Sequence, residues 1–447
     1  MNRTDREMQI LEQAMRQLSR HFVDLPARRR EREWDGVEAV ITELAGRLAD
    51  NYPYHHPLYA GQMLKPPHPV ARIAYCLAMQ LNPNNHALDG GRASSQMEKE
   101  AVAELARMFG WSTHLGHLTG GGTMANLEAL WVAGEMNPGR TVLASEQAHY
   151  THSRISKVLK LPFDSVPVDR RGRMDRGALE QRLGRGDVGI VVATLGTTGA
   201  GAVDPLPDII DLARRHGCRV HVDSAYGGYF VLVDNLGADT RAAYASIRDV
   251  DSVVVDPHKH GLQPYGCGCV LFADPEAGRF YVHDSAYTYF TSADLHLGEI
   301  SLECSRPGAA AVALWATHRL MPPVAGGSFA ADLARCRAAA LELWAFLDDH
   351  AAFRTIAPPE LDIVVWAPVA SRASEVSRRS RTVFDRAADS GLHLALAQFP
   401  RHMLAPFWPD VEFDVDRVTC LRSCLMKPEH EDRIGDITGI LNASVGV

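Results

Sequence analysis

The sequence predicts an α/β fold in which a mainly parallel central sheet is covered by helices. In the middle of the 447-residue chain, short β-rich runs alternate with stretches of helical periodicity. Strands that are separated by helices favour parallel pairing, because each parallel connection crosses the sheet through a helix. The apolar fraction of 46% and the charged fraction of 22% are typical of a globular protein, and the length allows one large and one or two smaller domains.

Each element of this alternation has its own signal. Runs rich in β-branched residues predict strands over 141–144, 189–194, 219–222, 252–255 and 269–272. Amphipathic spacing predicts helices over 95–109, 123–134, 152–159, 177–183 and 207–216. Two longer helices are expected over 309–319 and 329–347. This order of elements is that of a doubly covered sheet.

Three regions follow from the pattern. Residues 1–97 form an N-terminal segment, helical over 4–50 and then rich in Pro, His and Asn, a composition that suits a segment lining a site. Residues 98–345 form the large domain that carries the sheet. Residues 346–447 mix short strands and helices and are expected to form a small C-terminal α/β domain.

Charge and composition argue against several classes of partner. A net charge of −8 is unfavourable for nucleic acid, and the basic cluster at 28–32 is interrupted by Glu31, as in a solvated helix face. The first 15 residues have no apolar core like that of a secretory signal, and no apolar run is long enough to cross a membrane. The eight cysteines lack zinc-ligand spacing. We therefore expect a cytoplasmic protein with reduced thiols and no metal.

Lys259 lies where an apolar strand gives way to a loop, in the run Val-Asp-Pro-His-Lys-His-Gly at 255–261. A lysine ammonium is costly to bury without a partner. One interpretation is a desolvated amine with a lowered pKa that forms a Schiff base with an aldehyde cofactor. The other is a lysine that extends from the strand end to the surface.

Three further features follow strands or precede a helix. The turn that contains Gly121, Gly122 and Thr123 comes just before a predicted helix, where backbone N–H groups can hold a phosphate, although it also suits an ordinary turn. Asp223 ends a strand and can pair with a protonated ring nitrogen or cap the next turn. His149 follows a strand and can stack on an aromatic cofactor or serve a structural role. A phosphate-binding turn, a stacking ring, an acid and a lysine are the four supports that pyridoxal phosphate needs.

The runs at 120–126, 148–150, 195–198, 222–228 and 256–259 resemble those of the group II pyridoxal-phosphate-dependent amino acid decarboxylases, which have the fold-type I architecture. The resemblance covers about residues 50–320, with a weaker match at 421–426. The Asp-Pro-His-Lys run and the segment at 305–309 resemble the bacterial and archaeal tyrosine/aspartate decarboxylase branch most closely. The resemblance implies pyridoxal 5'-phosphate as cofactor and a homodimer with the active site at the subunit interface.

The resemblance also implies roles for individual residues of the cofactor site. Lys259 would form the Schiff base with the cofactor, Asp223 would pair with the pyridine nitrogen, and His149 would stack over the ring. Gly122 and Thr123 would contact the phosphate, with Gly121 allowing the close approach.

Four more positions match the family around this site. Ala225 would pack against the second face of the ring, and Thr197 would place a hydroxyl near the cofactor and substrate. His258 would join the phosphate network, and Ser305 would reach the phosphate in the partner subunit. Residues 84–86 would form a substrate-side wall.

The reaction implied by the family is decarboxylation of an L-amino acid to its amine and CO₂. No basic residue stands out as a partner for a side-chain carboxylate, so an aromatic amino acid such as tyrosine is the expected substrate. Tyr265 is the first candidate for the acid that protonates Cα, with Tyr287 and Tyr289 as alternatives, and packing is the other interpretation of all three. The catalytic prediction is therefore Lys259, His149 and Tyr265.

Two other functions remain open from the sequence. One keeps the cofactor but cleaves a carbon–carbon bond, as in relatives of sphingosine-phosphate lyase. That function calls for a membrane-associated segment and a basic phosphate pocket, and neither is evident. The other is a catalytically silent homodimer that acts as a binding module, and the set Lys259, Asp223 and His149 argues against it.

Overall fold

The computed structural model describes residues 3–25, 34–282 and 301–446, and it organises them around two β-sheets. The basic cluster at 28–32 and the candidate acids Tyr287 and Tyr289 lie outside the described residues. The large sheet has seven strands and the small sheet has four.

The large sheet has the spatial order β1-β7-β6-β5-β4-β2-β3. Only β7 runs antiparallel to its neighbours, so the prediction of a mainly parallel sheet is confirmed. The strands are β1 (Leu115–Thr119), β2 (Thr141–Ser145), β3 (Phe163–Val166), β4 (Val188–Thr194), β5 (Arg219–Asp223), β6 (Ser252–Val255) and β7 (Gly268–Phe272). Every residue of β4 is buried because helices cover both faces of the sheet, which is why this strand carries no polar side chain before Thr194 at its end.

The N-terminal and large regions together contribute eleven α-helices among the described residues. They are α1 (Arg3–Ser19), α2 (Val37–Leu48), α3 (Pro69–Met79), α4 (Arg92–Met108), α5 (Gly122–Met136), α6 (Thr151–Val158), α7 (Arg176–Leu183), α8 (Leu206–Arg215), α9 (Ala238–Ala245), α10 (Gly308–Leu320) and α11 (Ser328–Asp349). Short 3₁₀ turns occupy Arg20–Phe22, Leu88–Gly90, Gly228–Leu232, Ile247–Asp249 and Pro275–Phe280. Helix α8 shows the pattern of a helix on a sheet: its Leu206, Ile209 and Leu212 are buried while the opposite face carries charges.

The C-terminal region forms an antiparallel sheet with the order β10-β11-β9-β8. Its elements are β8 (Phe353–Thr355), β9 (Ile363–Pro368), α12 (Ala373–Asp389), β10 (Ala395–Pro400), α13 (Arg401–Leu404), β11 (Arg417–Cys424), the 3₁₀ turn Pro428–Arg433 and α14 (Ile434–Val445). Trp366 is fully buried in this sheet and donates its indole N–H to Ser423 Oγ at 3.1 Å. The predicted boundaries at 97/98 and 345/346 fall inside α4 and α11, and the division into three regions stays a prediction.

Four helices and strands of the first 350 residues were absent from the sequence prediction, and one of them is α9 (Ala238–Ala245). Helix α3 lies inside the Pro-rich stretch at 54–97, where the density of turn formers had indicated loops. Pro69 occupies its first turn, and His68 caps it because His68 Nδ1 accepts a hydrogen bond from the Val70 N–H at 3.2 Å. Strands β1 and β3 were also missed. Both are outer strands of the large sheet and are only five and four residues long.

Candidate active site

The site lies where strands of the large sheet end and helix α5 begins. His149 follows β2, Asp223 is the last residue of β5, and Lys259 lies four residues beyond β6. The carboxyl ends of parallel strands meet at one edge of a sheet, which brings these side chains together although more than 100 residues separate the first from the last. They line one cavity of about 560 Å³.

Lys259 reaches this cavity with its side chain 23% exposed. Its Nζ lies 3.0 Å from Oδ2 of Asp256, three residues earlier in the same turn. Asp256 is 2% exposed, and its second oxygen, Oδ1, has no hydrogen-bond partner among the described atoms. The lysine is therefore held in an ion pair with Asp256. Of the two groups, the carboxylate is the more deeply buried.

The glycine turn is shaped by close packing at the start of α5. Gly121 has φ 147°, a left-handed backbone that side chains rarely adopt. A Cβ on Gly122 would lie 2.7 Å from Oδ2 of Asp256, so a side chain at this position would collide with the wall of the cavity. The first N–H groups of α5 thus lie open to the cavity at the positive end of a 15-residue helix.

A carboxylate already uses this turn as an anion site. Oε2 of Glu303 accepts a hydrogen bond from the Gly120 N–H at 2.8 Å, and both residues line the cavity. The contact demonstrates, within this structure, that the glycine turn can hold an anionic oxygen.

Asp223 is held by two donors. Nε2 of His152 donates to its Oδ2 at 2.8 Å, and the Ala225 N–H donates to its Oδ1 at 3.1 Å. Burial raises the pKa of Asp223, but the hydrogen bond from His152 and the nearby charges of His152 and Lys259 outweigh burial and bring the pKa well below its usual range. The carboxyl is therefore ionised and suited to hold a cationic ring nitrogen.

His149 is fixed by the start of helix α6. Its Nδ1 accepts a hydrogen bond from the Thr151 N–H at 3.4 Å and lies 2.8 Å from Thr151 Oγ1. Burial lowers the pKa of His149. The ring is thus favoured in its neutral form, which suits stacking more than ion pairing.

Eight of the predicted site residues line the cavity together: Gly121, Gly122, Thr123, His149, Asp223, Ala225, His258 and Lys259. Three do not. The Thr197 hydroxyl accepts a hydrogen bond from the Ala202 N–H at 3.0 Å in a turn, although its neighbours Gly196 and Thr198 face the cavity. Exposed Ser305 accepts a hydrogen bond from Asn84 Nδ2 at 3.1 Å, which places Ser305 beside the predicted substrate-side wall.

Tyr265 is the third residue outside the cavity lining. The residue is 57% exposed, and its ring lies 4.7 Å from the His258 ring, centroid to centroid. Its hydroxyl donates to the Met63 carbonyl at 3.1 Å. The tyrosine thus contacts a lining residue without facing the cavity itself.

Among the residues at or next to the cavity that the sequence prediction missed, five have polar side chains placed to affect the site. Asp256, Thr194 and Glu303 line it, His152 lies behind Asp223, and Arg422 of β11 donates to the carbonyl of the lining residue Thr198 at 2.7 Å. Asp256 and Thr194 each follow or end a strand, so the rule that located Asp223 also applied to them. His152, Glu303 and Arg422 depend on tertiary contacts that no local pattern indicates.

Comparison with known proteins identifies the family. The model of the pyridoxal-dependent decarboxylase conserved domain matches residues 131–366, just over half of the chain. The chain belongs to the pyridoxal-dependent decarboxylase family. The sequence predictions of the family and of its pyridoxal cofactor are confirmed, and the description of the family as decarboxylases agrees with the predicted class of enzyme.

Bacterial and archaeal decarboxylases are among the curated relatives that match the chain. The chain is 27% identical over 387 residues to the L-tyrosine decarboxylase of Levilactobacillus brevis, with 64% of this chain and 62% of that protein covered. It is 30% identical over 284 residues to a probable L-tyrosine/L-aspartate decarboxylase of Methanothrix thermoacetophila, covering 62% and 70%. The match therefore spans less than two thirds of the Levilactobacillus protein.

Solved structures support the fold. Rice TDC with PLP and tryptamine aligns with a TM-score of 0.78 at 17% identity, covering 100% of this chain and 99% of that chain. Mouse CSAD aligns with a TM-score of 0.78 at 21% identity, covering 99% and 92%. In the part of the chain that the structure describes, no helix is both long and apolar enough to cross a bilayer.

The residues of the cavity fit pyridoxal phosphate. The glycine turn accepts an anionic oxygen, the ionised Asp223 faces the same cavity, and Lys259 supplies an amine. Three lining side chains also have a buried polar atom without a partner among the described atoms: Thr194 Oγ1, Asp256 Oδ1 and His258 Nδ1. A polar ligand in the cavity would satisfy such atoms.

Proposed function

We propose that this protein decarboxylates an L-amino acid, releasing CO₂ and the amine, with pyridoxal phosphate bound through Lys259. The observation that carries the proposal is the convergence of Lys259, Asp223 and the glycine turn on one cavity. These three supports offer an amine, an ionised carboxyl and an anion site to one cofactor.

Lys259 and Asp223 have distinct tasks in the proposed mechanism. When bound, pyridoxal phosphate supplies an aldehyde and an electron-withdrawing ring that accepts the electron pair left as CO₂ departs. Lys259 holds the cofactor through its amine and yields this position to the substrate amino group. Its contact with Asp256, at 3.0 Å, would orient the free amine within the cavity. Asp223 keeps a proton on the ring nitrogen because its own pKa is low.

His149 and Tyr265 are proposed to act on the substrate side. The neutral His149 ring would hold the ring of a bound cofactor and would limit how the substrate can rotate, which would favour loss of the carboxylate over the other bonds at Cα. Tyr265 is proposed to return a proton to Cα. Desolvation raises the pKa of Tyr265 to about 12, so its hydroxyl keeps its proton at neutral pH, and the proposed role requires the hydroxyl to leave the Met63 carbonyl.

We infer that an aromatic amino acid, such as tyrosine, is the first candidate for the substrate. One of the relatives is a tyrosine decarboxylase and another is described as acting on tyrosine or aspartate, which supports testing both classes. The site is proposed to be completed at a homodimer interface, where Ser305 and residues 84–86 of one subunit approach the site of the other. The exposure of Ser305 leaves it available for such a contact.

Arg422 favours an acidic amino acid as a second candidate. Its residue is 5% exposed, its guanidinium donates to Thr198 O and to Gln62 Oε1 at 2.7 and 2.8 Å, and its Nε has no partner. No carboxylate of the described chain lies within 4.0 Å of it. A substrate with a second carboxylate would provide the missing counter-charge.

The decisive experiment measures CO₂ and amine from Tyr, Phe, Trp, Asp and Glu with the purified, cofactor-loaded protein. We expect release with at least one of them and no release by Lys259→Ala. Arg422→Met would lower activity with Asp far more than with Tyr if the acidic substrate is correct. A cofactor-loaded protein that releases no CO₂ from any of the five, but cleaves a phosphorylated amino alcohol, would contradict the proposal in favour of the lyase.

A further inference from the structure

A second cavity, of about 520 Å³, lies next to the loop that carries Lys259. Leu262, three residues after Lys259, forms part of its wall and has a left-handed backbone with φ 64°. The Leu262 carbonyl also accepts a hydrogen bond from the His68 N–H at 2.9 Å. The same loop therefore contributes to both cavities, Lys259 to the first and Leu262 to the second.

Two lysines face the second cavity without a carboxylate partner. Lys427 is 4% exposed, and its Nζ donates to the Tyr59 carbonyl at 2.7 Å. Lys65 Nζ has a single, long hydrogen bond of 3.4 Å to the Met426 carbonyl. In the described part of the chain, no acidic oxygen lies within 4.0 Å of either ammonium. Each ammonium has three N–H donors, so both retain capacity for a ligand.

Two carboxylates, those of Asp332 and Glu429, line the same cavity. Neither has a hydrogen bond or an ion pair with another described residue. The third acid of this cavity, Glu7, is instead held by Arg72 through contacts of 2.6 and 2.7 Å. The cavity thus presents two ammonium groups and two carboxylates, and among the described residues no ammonium of this set lies within 4.0 Å of a carboxylate of the set. The charges of Asp332 and Glu429 nevertheless act on the Lys65 ammonium across the cavity.

Apolar side chains complete the wall. Phe329 and Leu333 of α11 are 4% and 1% exposed, and they line the cavity together with Leu262. A ligand that fits must therefore combine both charges with an apolar part.

We propose that the second cavity binds the zwitterion of a free α-amino acid that has an apolar side chain. Its carboxylate would contact Lys65 and Lys427, and its ammonium would contact Asp332 and Glu429. A simple anion would be attracted by the two lysines but repelled by the two carboxylates. A simple amine would be attracted by the carboxylates but repelled by the lysines. A ligand that carries both charges on one carbon, as an α-amino acid does, can pair with the lysines and the acids together.

The test needs a zwitterion that the catalytic lysine chemistry cannot capture. N,N-dimethyl-L-phenylalanine meets this need because a tertiary amine forms no Schiff base. Calorimetric titration of the holoenzyme should give one bound ligand per chain without a change in the cofactor absorbance. Lys65→Met and Asp332→Asn should each weaken binding at least tenfold. Lys157→Met, which removes an exposed lysine on α6, should leave it unchanged.

Two analogues test whether both charges are needed. 3-Phenylpropanoate lacks the ammonium and N,N-dimethyl-2-phenylethylamine lacks the carboxylate, so both should bind at least tenfold more weakly. The proposal is overturned if the zwitterion does not bind, if either analogue binds as tightly, or if Asp332→Asn binds it like the wild type. The Asp-to-Asn change preserves shape, and melting temperature and cofactor absorbance verify that the variant is folded.

Discussion

His152 Nε2 lies 2.8 Å from Oδ2 of Asp223, and both residues are almost completely buried. His152 belongs to the first turn of α6 and Asp223 ends β5, so the contact joins a helix to the strand that carries the cofactor acid. The hydrogen bond from His152 is the largest of the influences that lower the pKa of Asp223 against the opposing effect of burial. His152 is therefore a positioning residue that acts through the carboxylate.

Replacing His152 with Leu is expected to weaken cofactor binding. A hydrogen bond to a charged group contributes about 1.5–3 kcal/mol, so the affinity of the cofactor-free protein for pyridoxal phosphate should fall roughly tenfold to hundredfold. Absorbance titration measures this affinity directly. His152→Gln, which keeps an N–H donor near the same position, is the matched control and should recover most of the loss. Equal affinity for the Leu variant and the wild type would refute the assigned role.

Replacing Glu303 with Gln is expected to strengthen cofactor binding. The Glu303 carboxylate occupies the Gly120 N–H and is repelled by an incoming phosphate, while the amide carries no charge. The affinity of the cofactor-free protein for pyridoxal phosphate should rise roughly threefold to tenfold, in line with the modest energies of partly exposed charges. Glu276→Gln, at an exposed site in a different turn, serves as the control. An unchanged or lower affinity would show that Glu303 does not compete with the phosphate.

Replacing Tyr265 with Phe is expected to slow amine formation by roughly a hundredfold, the usual order for loss of a general acid, or to increase an aldehyde by-product. The ring contact with His258 would persist, so the change isolates the hydroxyl. Chromatographic measurement of both products distinguishes proton transfer from binding. Tyr52→Phe, at an exposed tyrosine, is the control. If rate and product ratio stay at wild-type values, Tyr265 has no part in the protonation.

The sequence predicted the parts of the site that follow local rules. Asp223 and Lys259 were found because each follows an apolar run, and the glycine turn because it precedes a helix. The alternation of periodicities likewise predicted that the large sheet is mainly parallel, and β6 at Ser252–Val255 was predicted to the residue. These features are local, and so a single sequence is enough to locate them.

Contacts between distant segments could not be predicted in the same way. Arg422 is hydrogen-bonded to Thr198, which lies 224 positions away in the sequence. His152 is hydrogen-bonded to Asp223, which lies 71 positions away. Helix α3 was missed because of a local signal that has two meanings. The Pro and His residues at its start are also typical of loops. Thr197 shows a further limit. Its neighbours line the cavity, but its own hydroxyl is hydrogen-bonded within a turn. The threonine that lines the cavity with an unpaired hydroxyl is Thr194.

Lys427 is expected to make stability depend on pH in the alkaline range. Burial, reinforced by the charge of Lys65, lowers its pKa to about 8, whereas an unfolded lysine titrates near about 10.4. Between these values the unfolded chain binds a proton that the folded chain does not, so the cost of the buried ammonium disappears as the pH rises. Relative to Lys427→Met, the free energy of unfolding of the wild type should therefore rise by up to about 1.4 kcal/mol per pH unit from pH 8 to about pH 10.

Urea unfolding at several pH values in this window measures the difference between wild type and Lys427→Met. The comparison cancels the tyrosines and cysteines that titrate in the same range, because both proteins contain them. Lys157→Met, whose ammonium is exposed, should parallel the wild type. The charges of Cys424, Glu429 and Cys336 also affect the pKa of Lys427. All three residues are present in every variant, so the difference in the pH dependence of the unfolding free energy is attributed to Lys427. A difference that stays constant with pH would mean that Lys427 remains charged in the folded protein throughout, with a ligand or solvent replacing the missing counter-charge.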